Sequence, residues 1–313
     1  MQITPLNARK LTRRSRMKQA LQRYWIVYLM ALPVVAYYII FHYLPMFGIV
    51  ISFQNFRVTR GFFGSKWVGL ENFIDFFDSE YAWRNTRNTL MISLYGLVFS
   101  FPAPIILALL LNEVKNARFK KMVQTITYMP HFISLVVVCA LVMDFCSTRG
   151  FINTLILKLG GTPIPFMSDP DWFYPIYTIS GIWQHMGWDS IIYLAALSSI
   201  DPALYEAATV DGAGRFRRMW HITLPGIAST ISILLILRIG SIMSVGYEKI
   251  ILLYSPATYE TADTISTYVY RRGLQDGKYS FASAVGLMNS VVNFILLIAS
   301  DRISKKLGQS GLF

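Results

Sequence analysis

Six long apolar blocks, near residues 25–53, 89–111, 125–143, 175–199, 225–245 and 282–300, constrain this chain more than anything else in it. In hydrocarbon no water satisfies a backbone N–H or C=O, so a block of about 20 apolar residues must close its own hydrogen bonds as a helix. The blocks therefore predict an all-α membrane protein with six transmembrane helices. Apolar residues form 54% of the 313 and charged residues only 15%, and they are gathered in blocks instead of spread at surface-and-core periodicity, which argues against a soluble domain. The first block is too long for the apolar core of a cleavable signal, so it is expected to remain as a helix.

The formal charge of +12 would suit a nucleic-acid partner if it lay on one continuous face, but the basic residues fall in the gaps between blocks. Arg9, Lys10, Arg13, Arg14, Arg16, Lys18 and Arg23 precede the first block with no acid among them. Lys115, Arg118, Lys120 and Lys121 follow the second, Arg215, Arg217 and Arg218 follow the fourth, and Arg302, Lys305 and Lys306 follow the sixth. The positive-inside rule then places segments 1–24, 112–124, 201–225 and 301–313 in the cytoplasm. The second half of the N-terminal segment reads as a helix on the membrane surface, with a DNA-binding tail as the alternative. The other gaps lie outside: 54–88 with a short surface helix from near Leu70, 144–174 with a flat helix over 151–159, and 248–279 with a capped loop leading into a surface helix.

Catalytic signatures are absent from the sequence. Without the GxxxxGK[ST] loop whose amides and lysine surround phosphates, the chain is not expected to hydrolyse ATP by itself. The four histidines give no HExxH pair, and Cys139 and Cys146, seven apart with no companion ligands, read as buried small side chains. No metal or cofactor is expected on this chain. An ion-coupled carrier would need deep ionisable groups; the candidates are Arg238, Asp144, His185, Asp189 and Glu248, of which only Arg238 lies clearly inside a block. With no acid at comparable depth, a proton relay is disfavoured. Arg238 has three open roles: binding an acidic substrate, pairing with a carboxylate, or snorkelling to the interface.

Between the fourth and fifth blocks, Asp201-Pro202 supplies a cap and a first-turn proline before the helix formers Ala203 to Ala208, the glycines from Gly212 interrupt the helix, and Pro225 marks the next boundary. Glu206-Ala207-Ala208, Asp211-Gly212-Ala213, Ile222 and Leu224-Pro225 together resemble the EAA loop of the membrane-spanning permease subunits of bacterial ABC importers. Leu32-Pro33, the stretch 47–56, WVGLENF at 67–73, Asn88 to Leu90, Tyr128-Met129-Pro130 and Gly181-Ile182-Trp183 look like the first-partner permeases of carbohydrate importers, and the likeness covers nearly the whole chain. Within that group it resembles permeases for complex or acidic oligosaccharides, such as alginate- or pectin-derived sugars.

The resemblance implies a type I importer permease fold in the bacterial inner or cytoplasmic membrane, with a coupling helix in the cytoplasmic loop. Glu206 would make polar contacts with an ATPase subunit, Ala207 and Ala208 would allow close approach, and Gly212 would permit the bend. Implied partners are a second homologous permease, two ATPase subunits that hold ATP-Mg, and an extracellular or periplasmic solute-binding protein. The chain itself would form half of a translocation path and would not be an enzyme. Candidate sugar contacts are Trp183, Gln184, Trp188, Tyr193, Arg238, Tyr247, Asn289 and Asn293, because aromatic faces pack on pyranose rings while amides bond hydroxyls. The aromatic residues have interface anchoring as their rival role, and Asn289 and Asn293, one turn apart, have helix-to-helix bonding as theirs. The rival functions are a permease for another solute class and a membrane interaction or sensory protein that moves no solute.

Overall fold

The structure, a computed structural model, describes residues 22–308 and 311–312. Apart from residues 22–24, the basic N-terminal segment lies outside the described residues. The described residues divide into two compact units, one ending at Ile51 and the other beginning at Ser52. In the first, helix α1 (Trp25–Tyr38) carries Pro33 and passes through a π turn at Ile39–Tyr43. None of these residues is buried, and apolar side chains point out on every side, as lipid contact requires.

The second unit is helical except for a two-residue antiparallel pair, β1 (Gln54–Asn55) and β2 (Lys66–Trp67), the only sheet among the described residues. Helix α2 (Glu71–Phe77) leads into α3 (Tyr81–Tyr95), a π turn at Gly96–Ser100, and α4 (Pro102–Glu113). The π turn has a local cause: Pro102 offers no N–H, so the ladder reopens one residue wider and Phe101 N–H donates to Gly96 O at 2.9 Å. Helix α5 (Ala117–Tyr128) is capped by Asn116, whose side chain accepts from the N–H groups of Arg118 and Phe119. Helices α6 (Leu135–Cys146), α7 (Phe151–Lys158) and α8 (Phe173–Ser198) follow. After them come α9 (Pro202–Val210), α10 (Arg215–Arg218), α11 (Ala228–Ile239), α12 (Tyr247–Leu253), α13 (Ile265–Tyr270) and α14 (Tyr279–Lys306).

Among the described residues four stretches are long and apolar enough to cross a membrane: Trp25–Phe53, Tyr81–Glu113, Leu135–Lys158 and Tyr279–Lys306. A fifth arises if Arg215–Gly226 and Ala228–Ile239, bent by 59°, count as one span. Helix α8, at 26 residues, reaches about 39 Å and is long enough by the 1.5 Å rise, but Gln184, His185 and Asp189 make its centre polar. These lengths are compatible with six spans.

Two segments differ from the sequence expectation. The block 125–143 is not one helix: Pro130 opens a 3-10 turn, Ile133 is extended, and Ser134 caps a new helix by accepting from Val137 N–H. The helix expected at the surface within 248–279 is instead packed inside. Its Thr264–Thr267 capping box is present, yet Ile265 and Tyr268 join Phe76, Phe281 and Val285 in a buried cluster. Ile265 is wholly buried, a burial worth about 1.5–3 kcal/mol, and that pull outweighs the polar composition of the surrounding sequence. A second cluster holds Ile92, Cys139, Phe173, Ile250 and Leu253, and a third holds Ile105, Ala108, Tyr193, Leu197 and Ile227. Cys139 and Cys146 are both buried and free.

Candidate functional site

A cavity of about 1040 Å³ opens among α3, the π turn at 96–100, α8, α11 and α12. Hydroxyls such as Ser93, Thr178 and Ser241 line it, but its charged and imidazole groups come from three helices. Helix α8 contributes His185, Trp188 and Asp189, α11 contributes Arg238, and α12 contributes Lys249. Gly181, His185 and Asp189 recur every fourth residue, so one stripe of α8 faces the cavity over about 12 Å of helix. Arg238 points back at the π turn, where a Cβ on Gly96 would lie 2.7 Å from its Nη2, so that glycine makes room for the guanidinium. Lys249 Nζ donates to the Tyr177 carbonyl at 2.9 Å and sits 4.6 Å from the centre of the Tyr177 ring. His131, from the 3-10 turn after α5, stacks on Trp188 at 4.5 Å and shares a ring-nitrogen hydrogen bond of 3.3 Å with His185.

Of the candidate sugar contacts the cavity brings together Trp188, Tyr193 and Arg238, and of the candidate deep ionisable groups His185, Asp189 and Arg238, while Asp144 and Glu248 lie outside its lining. Trp183, Gln184, Tyr247, Asn289 and Asn293 lie outside its lining. Gln184 is buried with its Oε1 unpartnered, and Tyr247 stacks on Tyr270 at 5.1 Å. Asn293 accepts from Met243 N–H at 3.0 Å and donates to Ser244 Oγ at 2.8 Å, which ties α14 to the turn after α11. Asn289, one turn earlier on the same face, keeps a buried Oδ1 with no hydrogen-bond partner. His185 and Asp189 were visible in the sequence as ionisable groups at i, i+4, a spacing that aligns them on one face; they lie mid-way along the helix and share the cavity with Arg238, so the expectation that no acid lies at the depth of Arg238 is not met. Lys249 was not visible in this way. It adjoins Glu248 at a block edge, and its partner Tyr177 lies 72 positions earlier, beyond any local pattern.

The loop 201–225 has a separate geometry. Asp201 caps α9 by accepting from Ala203 N–H at 2.9 Å. At the other end Gly212 adopts φ +73°, Gly212 N–H donates to Thr209 O at 3.1 Å and Ala213 N–H donates to Ala208 O at 2.8 Å. This paired closure needs a left-handed residue at its corner, which is the role glycine fills. The two arms are braced by Arg218 Nη1 donating to Thr209 Oγ1 at 2.9 Å and by Tyr205 OH donating to Thr223 Oγ1 at 3.1 Å. Glu206, Ala207 and Asp211 are exposed, Ala208, Ala213, Ile222 and Leu224 are half-buried, and Pro225 is exposed. Leu204, Val210, Phe216 and Trp220 are also exposed, giving this loop an apolar and basic surface around Glu206.

A third polar cluster lies at the start of α3. Asp263, fully buried, receives Arg271 Nη2 at 2.7 Å, Arg84 Nη2 at 3.2 Å and Thr267 Oγ1 at 2.7 Å. Asn88 Nδ2 donates to the carbonyls of Asp263 and Glu260, both at 2.8 Å, and its Oδ1 accepts from Tyr174 OH at 2.9 Å. Burial would lower the Arg271 pKa, but its bonds to Asp263 and Tyr254 outweigh that and hold it above the usual arginine value, so this cation stays charged. Among the described residues no group of three or more His, Cys, Asp or Glu could hold a metal ion.

Comparison with known proteins places these features in a wider set. The family model described as binding-protein-dependent transport system inner membrane component matches residues 100–309. Protein LplB of Bacillus subtilis (strain 168) is 48% identical over 94% of this chain and 93% of its own length. A polygalacturonan/rhamnogalacturonan transport system permease protein, YteP, of the same organism is 45% identical over 97% of this chain and 95% of its own. A chain from the crystal structure of a bacterial alginate ABC transporter in complex with an alginate pentasaccharide-bound periplasmic protein superposes with a TM-score of 0.88 at 44% identity, covering 95% of this chain and all of that one.

Proposed function

From the premise that this chain belongs to the family of binding-protein-dependent transport system inner membrane components, we propose that it lines half of the path by which an acidic oligosaccharide enters the cell. The observation that carries the acidic part of this reading is the cavity lining, in which Arg238 and Lys249 face the same space as Trp188, with Asp189 as the single carboxylate there. A flat indole beside fixed cations suits a sugar ring that bears a carboxylate, since the ring stacks and the carboxylate takes charge-assisted hydrogen bonds. The relatives named for polygalacturonan/rhamnogalacturonan and for alginate both handle acidic polysaccharides, which supports the same solute class here.

In this reading an external binding protein delivers the sugar, a second permease completes the path, and two ATPase subunits supply the energy with ATP-Mg bound to them. The loop 201–225 is the docking site for one ATPase subunit, with Glu206 as its polar contact and α9 as the rigid element that moves. Both termini and this loop lie on the cytoplasmic side. A capped nine-residue helix closed by Gly212 and braced at Arg218 transmits force as one body, which coupling to a distant ATPase requires. The test is to purify the intact complex and identify the sugar held by its binding protein. A uronate-containing oligosaccharide is expected, and a neutral one overturns the acidic reading. Gly212→Val in the same complex is expected to leave sugar binding intact while cutting ATP-driven uptake at least tenfold, because a β-branched residue resists the left-handed corner by about 1–2 kcal/mol and opens the loop.

A further inference from the structure

Lys249 is an ammonium group with hydrogen-bonding capacity to spare. It can donate three hydrogen bonds and makes one, to the Tyr177 carbonyl, while the Tyr177 ring packs beside it at 4.6 Å. A Cβ on Gly181 would lie 3.3 Å from Nζ, so the ammonium rests against the glycine position of the cavity-facing stripe of α8. Among the described residues no carboxylate lies within ion-pair distance of it. A partly buried cation with unused donors and no counter-ion is costly to keep unless an anion visits it. The carbonyl, the aromatic face and the missing Cβ together hold this one in place, so its position is built and not incidental.

We propose that Lys249, on α12 and seated against Tyr177 and Gly181 of α8, is a specificity-determining residue that binds a carboxylate of the passing sugar in the cavity it shares with Arg238. The inference rests on the acidic-oligosaccharide reading and adds to it the residue that discriminates. Asp189 lies two turns farther along the same stripe, about 12 Å from the level of Gly181. A carboxylate held at Lys249 therefore meets a like charge if it advances along α8, which keeps the grip transient, as a transport path needs.

The experiment uses the whole importer reconstituted with its binding protein and ATPase subunits, and compares uptake of tri-galacturonate with its fully methyl-esterified, uncharged form. Lys249→Met is expected to raise the half-saturation concentration for tri-galacturonate about tenfold and to leave that for the ester unchanged, and Lys249→Arg is expected to restore most of the difference. Equal losses for the two sugars, or no change for tri-galacturonate, overturn the inference. Should the Met variant fail to assemble, acylation of Lys249 in the wild-type complex decides: bound tri-galacturonate is expected to slow it while the ester does not, and equal rates overturn the inference. A wild-type complex that carries the ester and rejects tri-galacturonate instead sinks the acidic reading itself, whatever the variants do.

Discussion

Arg84 and Arg271 converge on one fully buried carboxylate, whereas Arg238 and Lys249 face a cavity with no carboxylate within ion-pair distance. The first group is complete within the chain: Asp263 spends its oxygens on two guanidiniums and Thr267, and Asn88 fastens the adjoining backbone. The second is held in place by neutral groups, a carbonyl and a ring at Lys249 and an absent Cβ beside Arg238. Matched charge of the first kind fixes α3 against segment 254–275. Unmatched charge of the second kind keeps donors free, as the acidic-sugar proposal requires.

The sharpest way to break this contrast is Asp263→Ala. Removing the one acid strands two part-buried guanidiniums, a loss of about 3–5 kcal/mol by the usual cost of breaking a buried pair. Thermal unfolding of the detergent-purified complex should fall steeply, or the subunit should fail to assemble. A variant with an unchanged melting temperature would show that the cluster is not structural and would remove the reference against which the cavity cations are judged.

A smaller effect is expected at Gly96→Ala. The new Cβ would press on the end of the Arg238 side chain, which is flexible and can move aside, so stability is expected to hold while the guanidinium shifts. Uptake of an acidic oligosaccharide is expected to drop about fivefold, equivalent to about 1 kcal/mol and the worth of one hydrogen bond. A large fall in melting temperature would mean that Arg238 is instead part of the packing, like Arg84.

The same contrast explains what could be read without a structure. Arg238 stood out because a lone cation in an apolar block violates local composition, and loop 201–225 stood out because cap, small residues and corner glycine are close together in the chain. The break at Ile133 was hidden because Ser134 looks like any small polar residue in a membrane span until its side chain is seen to cap Val137. Lys249, and the burial of Ile265 and Tyr268, depend on other segments of the chain, where no local period reaches: Lys249 meets Tyr177 72 positions away, Ile265 meets Thr89 176 positions away and Tyr268 meets Ser79 189 positions away. Asn289 and Asn293 show the limit most clearly: equal in type and one turn apart, they differ because only Asn293 meets the turn at Met243 and Ser244.

The smallest effect separates burial from pairing. Arg272 and Asp276 form a bond of 3.2 Å at i, i+4, as short as the Arg84 bond to Asp263, but both side chains are more than a third exposed. Water screens the attraction and competes for the same groups, so Arg272→Ala is expected to change stability by no more than about 0.5 kcal/mol. Arg272 also lies 5.9 Å from the Tyr268 ring, a contact that adds little at an exposed site. If melting in low and high salt shows a shift as large as that of Asp263→Ala, then pairing alone would account for the Asp263 cluster and burial would add nothing. A near-zero shift leaves burial as the property that makes a matched charge structural, which sets the Asp263 cluster apart from the unmatched cavity cations, an exposed Arg238 and a half-buried Lys249.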